Sequence, residues 1–236
     1  MKKVLIGIGT CDKFSYVEKN CLKKVFAQTY KDFDVLLVDN SQGKTHFIKL
    51  LGQFPQAKVH HIDRAPYFRD ALREVRQYIK DYTVNHGYEY LFFVDIDHLL
   101  QPDSLEKLIK HNVDFVTGAI GYLHRDESTC FIRDFTITKP SFVPGMLPCK
   151  CITWDEMNYP PFFREIHGCG LSTCLVKTKV LFGMNFYISH KQASFMEDLI
   201  FCADLHNKGI KLFLDKTVKP FHLHVMIAQR AFRNSK

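Results

Sequence analysis

The sequence lacks most of the features that would assign its class at a glance. No apolar run approaches the length needed to span a bilayer. No G-x-G-x-x-G follows the first apolar segment, despite Gly7 and Gly9, which excludes the usual dinucleotide turn. Gly43-Lys44-Thr45 resembles the end of a phosphate loop. Val38, however, stands where that motif needs its first glycine, which excludes a P-loop. Cys149, Cys151, Cys169 and Cys174 have no paired-knuckle spacing, so structural zinc is not expected. Cys169 and His167 are near neighbours in sequence, which does not define a nucleophilic triad. There is no repeat, linker or low-complexity stretch. No basic stripe interleaved with aromatics stands out, which argues against nucleic acid as a partner.

What is present is the mixture of an ordinary globular protein: 236 residues, 46% hydrophobic and 24% charged. The formal charge of +7 favours anionic partners such as nucleotides or lipid headgroups. The run Val4–Ile8 is too short for the apolar region of a signal peptide, so reduced thiols in the cytosol are expected. Arg230, Arg233 and Lys236 leave peripheral contact with an acidic membrane open.

Along the chain, apolar strands alternate with helical periods. Val4–Ile8, Asp34–Val38, Lys58–Ile62, Tyr90–Val94 and Val113–Ile120 read as strands. Helices are expected from about Tyr16 to Gln28, after Pro66 with Phe68, Leu72, Val75 and Ile79 on one face, and after Pro102. This order predicts an α/β domain with a mostly parallel central sheet and helices on both faces. Beyond Gly121 the pattern becomes irregular and proline-rich. It recovers at Gly168, with a helix over Glu197–Asn207 and a short strand over Lys211–Leu214. Trp154, the only tryptophan, lies in the irregular part and is expected to pack on the core.

Asp95 and Asp97 follow the strongest strand. Ligands in open α/β sheets sit beyond the carboxyl ends of strands, and two such carboxylates suit one divalent cation. A solvated turn is the plain alternative.

The segments Gln28–Ser41, Phe92–Asp97, Gly168–Ser172, Met196–Leu199 and Asn207–Lys211, in that order, resemble the family-2 glycosyltransferases of the GT-A fold. The likeness runs from Lys3 to about His224. It implies one GT-A domain, with residues 1–120 holding the nucleotide sugar and 121–236 forming an irregular acceptor-side and catalytic half. Asp39, with backbone around Ile8, Gly9 and Thr10, would meet the base or ribose. Arg64 or Arg69 would approach the diphosphate. Asp97 would ligate Mn²⁺ or Mg²⁺, with Asp95 sharing the ion or meeting the ribose, and His222 or His224 would add a ligand. Asp198 would be the base, with Glu197 orienting it or the acceptor, although the two roles can be exchanged.

The activity so implied moves a sugar from a nucleoside diphosphate, UDP by preference, to an acceptor hydroxyl, with inversion. Two other readings of the paired aspartates stand beside it: nucleotidyl transfer with pyrophosphate release, and a non-catalytic nucleotide- or glycan-binding protein.

Overall fold

The computed structural model describes residues 3–120, 127–133, 149–186 and 197–223. The first half runs β1 (Val4–Thr10), α1 (Glu18–Phe26), β2 (Phe33–Asp39), α2 (Thr45–Gln53), β3 (Lys58–His61), α3 (Phe68–Asn85), β4 (Tyr90–Val94), β5 (His98–Leu99), α4 (Ser104–Lys110) and β6 (Phe115–Gly118). The second half adds β7 (Glu127–Arg133), β8 (Cys149–Thr153), β9 (Phe163–Ile166), β10 (Gly168–Cys169), β11 (Thr173–Lys177), α5 (Thr178–Leu181), α6 (Glu197–Asn207), β12 (Leu212–Asp215) and β13 (Phe221–His222).

Eight strands form the main sheet in the order β3-β2-β1-β4-β11-β6-β12-β9. All but β11 and β9 run in one direction. Strand alternation divides the core into two layers. Val4, Ile6, Ile8, Phe92 and Val94 pack with Val17, Leu22 and Val25 of α1, Leu50 of α2 and Leu105 of α4. Leu5, Leu91 and Phe93 face the other way, against Val75 and Ile79 of α3 and Phe201 and Leu205 of α6. Helices thus cover both faces, as the sequence pattern predicts. Trp154 is half-buried against the second layer, with Lys219 Nζ 5.9 Å from its ring centre.

Among the elements not anticipated are α2 and β11. Helix α2 buries His46 and Leu50, one turn apart. A histidine in the place of an aliphatic residue breaks the apolar period that would announce the helix. Strand β11 enters antiparallel between β4 and β6. Its five residues are too few to show a period.

This topology sets the site. The carboxyl ends of β1 and β2 finish level, with Thr10 opposite Asp39. Because β11 runs antiparallel to β4, its start lies at the end of β4, and Asp95 N–H donates to the Ser172 carbonyl at 3.1 Å. The segment Gly168–Ser172 is thereby brought to the same edge as the paired aspartates.

Candidate active site

Asp95 leaves β4 with its side chain part-exposed. Arg76, on the buried face of α3, spans from it to the first turn of α6. Its Nη2 lies 3.4 Å from Asp95 Oδ1, its Nε 3.0 Å from Glu197 Oε1, and its Nη1 donates to the Leu171 carbonyl at 3.2 Å. Burial works against the guanidinium charge, and Asp95, Glu197 and Asp198 outweigh it, so the arginine holds its proton more firmly than usual. Acids about a hundred residues apart in sequence therefore meet around one cation.

Glu197 and Asp198 occupy the first turn of α6, where the helix dipole favours negative charge. Glu197 is buried, and its Oε2 has no hydrogen-bond partner among the described residues. Asp198 Oδ1 accepts from the Leu199 N–H at 2.7 Å. A methyl built on Gly170 would sit 3.6 Å from Asp198 Oδ2, so the glycine leaves the carboxylate a clear face. Burial and the adjacent Glu197 push the Asp198 carboxyl up to about 7, with Arg76 opposing. An acid poised there can take or give a proton near neutral pH.

Asp97 belongs to a second cluster. Its Oδ2 accepts from His222 Nε2 at 3.0 Å, and its Oδ1 lies 3.0 Å from His98 Nδ1. The short β5–β13 pairing sets His98 directly opposite His222, and their rings stack with centres 4.4 Å apart. Burial pushes the Asp97 carboxyl up, but the hydrogen bonds and charge of His222 and His98 outweigh it and hold it well below the usual carboxylate range. One ligand atom from each of Asp97, His98 and His222 lies within 4.8 Å of the others, close enough to share an ion. His98 Nε2 is buried without a hydrogen-bond partner among the described residues. The residues fit a divalent cation, and two imidazoles with one carboxylate suit Mn²⁺ better than Mg²⁺. Asp95 pairs with Arg76 instead and is outside this group. His98 was not anticipated, because neighbours on a strand point to opposite faces and it adjoins Asp97. His224 lies outside the described residues.

A cleft of about 200 Å³ adjoins Asp95. Gly9, Thr10, Asn40, Arg64, Arg76 and Val75 are among its lining residues. Arg64 lines it, whereas Arg69 is not among its lining residues. Ile8 turns its side chain into the core on the opposite face. Gly7 and Gly9 serve helix packing: a Cβ on Gly7 would collide with Ile79, and one on Gly9 would come 2.6 Å from Val75 Cγ1. Asp39 departs from expectation most clearly. It lies behind the wall, fully buried, with Ser41, His46 and His61 on its oxygens. Burial pushes its carboxyl up, and those bonds overcome this and hold it below its ordinary value.

Cys130 and Cys169 are buried, and burial pushes both thiols well above their ordinary range. No described helix is long and apolar enough to cross a membrane.

Comparison with known proteins agrees with this geometry. The Glycosyl transferase family 2 signature matches residues 8–127, about half of the chain. No curated protein matches it in sequence. Among solved structures, A197 from STIV shares 14% identity at a TM-score of 0.51, over 93% of this chain and 85% of its own. S. aureus TarS 1-349, crystallised in complex with UDP, shares 15% identity at a TM-score of 0.54, over 90% of this chain and 57% of that one. At such identities the likeness is one of fold.

Proposed function

The chain belongs to glycosyl transferase family 2 and has its GT-A fold, and from that premise we propose a metal-dependent transfer of a sugar from a nucleoside diphosphate, UDP by preference, to an acceptor hydroxyl. The observation that carries the proposal is the Arg76 bridge, which pairs the strand-end aspartate on the cleft with Glu197 in the first turn of α6. Residues 1–120 would hold the donor and 121–236 the acceptor.

In this reading the nucleotide lies along the cleft, with Arg64 and Arg76 lending positive charge to its phosphates. Asp97, His98 and His222 would hold the cation. A bound divalent ion supplies positive charge beside the departing diphosphate. Asp198 takes the proton from the acceptor hydroxyl as that oxygen bonds to the anomeric carbon. The bond from that carbon to the phosphate oxygen breaks, and its electron pair leaves with the diphosphate. A single displacement of this kind inverts the anomeric centre. Glu197, fixed by Arg76, sets the position of Asp198. Asp95 is left free to meet the ribose.

The experiment is a panel of nucleotide sugars tested for protection against thermal unfolding, with and without Mn²⁺, followed by product analysis. A Mn²⁺-dependent rise in Tm with one donor, and release of a nucleoside diphosphate, is the expected result. Protection without Mn²⁺, or release of pyrophosphate from a nucleoside triphosphate, would refute the proposal.

A further inference from the structure

Arg76 and Glu197 are 6% and 2% exposed, and charges so deeply buried ordinarily close short, forked pairs with bonds of about 2.7–2.9 Å. This pair does not. Arg76 Nη2 stands 3.4 Å from Asp95 Oδ1. Its Nε lies 3.0 Å from Glu197 Oε1 but off the line of a hydrogen bond. Arg76 Nε and Glu197 Oε2 are both buried with no hydrogen-bond partner among the described residues. Nη1 donates to the Leu171 carbonyl at 3.2 Å, and the Phe93 ring centre lies 5.5 Å from the guanidinium carbon.

The two unmade bonds fit each other. On a guanidinium, Nε and Nη2 form one edge, which can grip a carboxylate through two parallel bonds. Nε already stands at Glu197, while Nη2 is spent on Asp95. Released from Asp95, Nη2 would turn to Glu197 Oε2, with Nη1 on Leu171 as the pivot. Of the two acids, Asp95 is the one a ligand can reach. Its side chain is 41% exposed and lines the cleft, whereas Glu197 is sealed.

We propose that Arg76 is a positioning residue with two settings: divided between Asp95 and Glu197, as it stands here, or forked on Glu197 alone once a nucleotide engages Asp95. The inference rests on the nucleotide reading of the cleft given above. In the second setting the fork fixes the first turn of α6, and Asp198 with it. No described residue of α6 lines the cleft, so Arg76 is the link between them. The consequence is an order of events, with the acid pair set after the donor is in place. Such coupling is reciprocal, so whatever fixes α6 also frees Asp95 for the nucleotide. A static clamp behaves differently: it would only loosen when any one of its partners is removed.

The test is amide hydrogen exchange at Phe201 and Cys202, whose N–H groups donate to the carbonyls of Glu197 and Asp198 in the helical pattern. The probe is whichever of UDP, GDP, CDP and ADP binds best with Mn²⁺, chosen by calorimetry. In the unaltered protein the nucleotide should slow exchange at these amides about fivefold or more. In Asp95→Asn, Arg76 loses its competitor, and exchange should be slow before any nucleotide is added. In Arg76→Gln it should be fast with and without nucleotide. Faster exchange in nucleotide-free Asp95→Asn than in the unaltered protein would mark a static clamp and overturn the two settings. Nucleotide-induced slowing that persists in Arg76→Gln would overturn them too. If Arg76→Gln does not fold, Asp95→Asn decides alone. If none of the four nucleotides binds the unaltered protein, the nucleotide reading falls and the two settings with it. If one binds and leaves exchange at α6 unchanged, only the two settings fall.

Discussion

Two groupings of carboxylate and imidazole stand at the carboxyl edge of the sheet, one behind β2 and one beyond β4. At β2, Asp39 has four donors on its two oxygens and no surface. Beyond β4, Asp97 shares its oxygens with two stacked imidazoles, and His98 Nε2 is buried with no partner among the described residues. Nearby, Glu197 Oε2 is likewise buried with no partner among the described residues. Buried polar groups are ordinarily satisfied, and leaving one unmade costs about 1–3 kcal/mol. The β2 grouping also keeps a buried oxygen, Glu18 Oε2, without a partner among the described residues, so unmade bonds do not divide the two. What divides them is that Asp97, His98 and His222 each bring a ligand atom within 4.8 Å of the others, close enough to share an ion. Residue type does not separate the two groupings; the placement of the ligand atoms does.

The largest test of this contrast is Asp198→Asn. It should lower kcat by about 10²- to 10⁴-fold while Mn²⁺ affinity stays put. The same change should raise Tm at pH 8. The folded carboxyl titrates near 7, above its unfolded value, so whatever stability its protonated form contributes is lost as pH rises toward 7. A variant that transferred sugar at the normal rate would remove Asp198 from the role of base.

Next in size is Asp97→Asn, expected to weaken Mn²⁺ binding about 10- to 100-fold, read by titration calorimetry. Undiminished binding would mean that the cluster beyond β4 is scaffold too, and the contrast would vanish.

A smaller effect comes from pH. With a base near 7, kcat should fall about tenfold for each unit below pH 6 and level off above pH 8, as a rate profile on folded protein would show. Acid should act separately on stability. Asp39 and Asp97 are held below their ordinary values, so their contribution is complete above about pH 4 and is lost as pH falls through it.

The smallest effect on turnover belongs to His46→Ala. It should cost about 2–4 kcal/mol in denaturant unfolding, because buried acids lose a partner, yet leave Mn²⁺ affinity within about twofold. A large loss of Mn²⁺ affinity would show that the two clusters act as one.

Much of this was legible in the sequence because its signals are local. Tyr90–Val94 is an unbroken apolar strand ending in Asp-x-Asp, and α6 begins with the expected acidic pair. What escaped was polar chemistry placed where period alone predicts carbon. Arg76 is buried between Val75 and Ile79 on α3, and an arginine there reads as the edge of an apolar stripe. His46 hides α2 for the same reason. His98 becomes a neighbour of His222 only through the pairing of β5 with β13, which lies more than a hundred residues away. Asp39 was found as a residue and misplaced as a contact, because its partners His46 and His61 come from two other elements.

The bare backbone of β1 carries a further consequence. Val75 and Ile79 rest on Gly9 and Gly7, so the height of α3 above the sheet is set by two missing methyl groups. Arg76 rides on that same turn. An alanine at either glycine would act as a shim, tilting the helix outward and pulling the guanidinium off Asp95 and Glu197 together. The alignment of the proposed reaction centre is thus gauged by residues that have no side chain of their own.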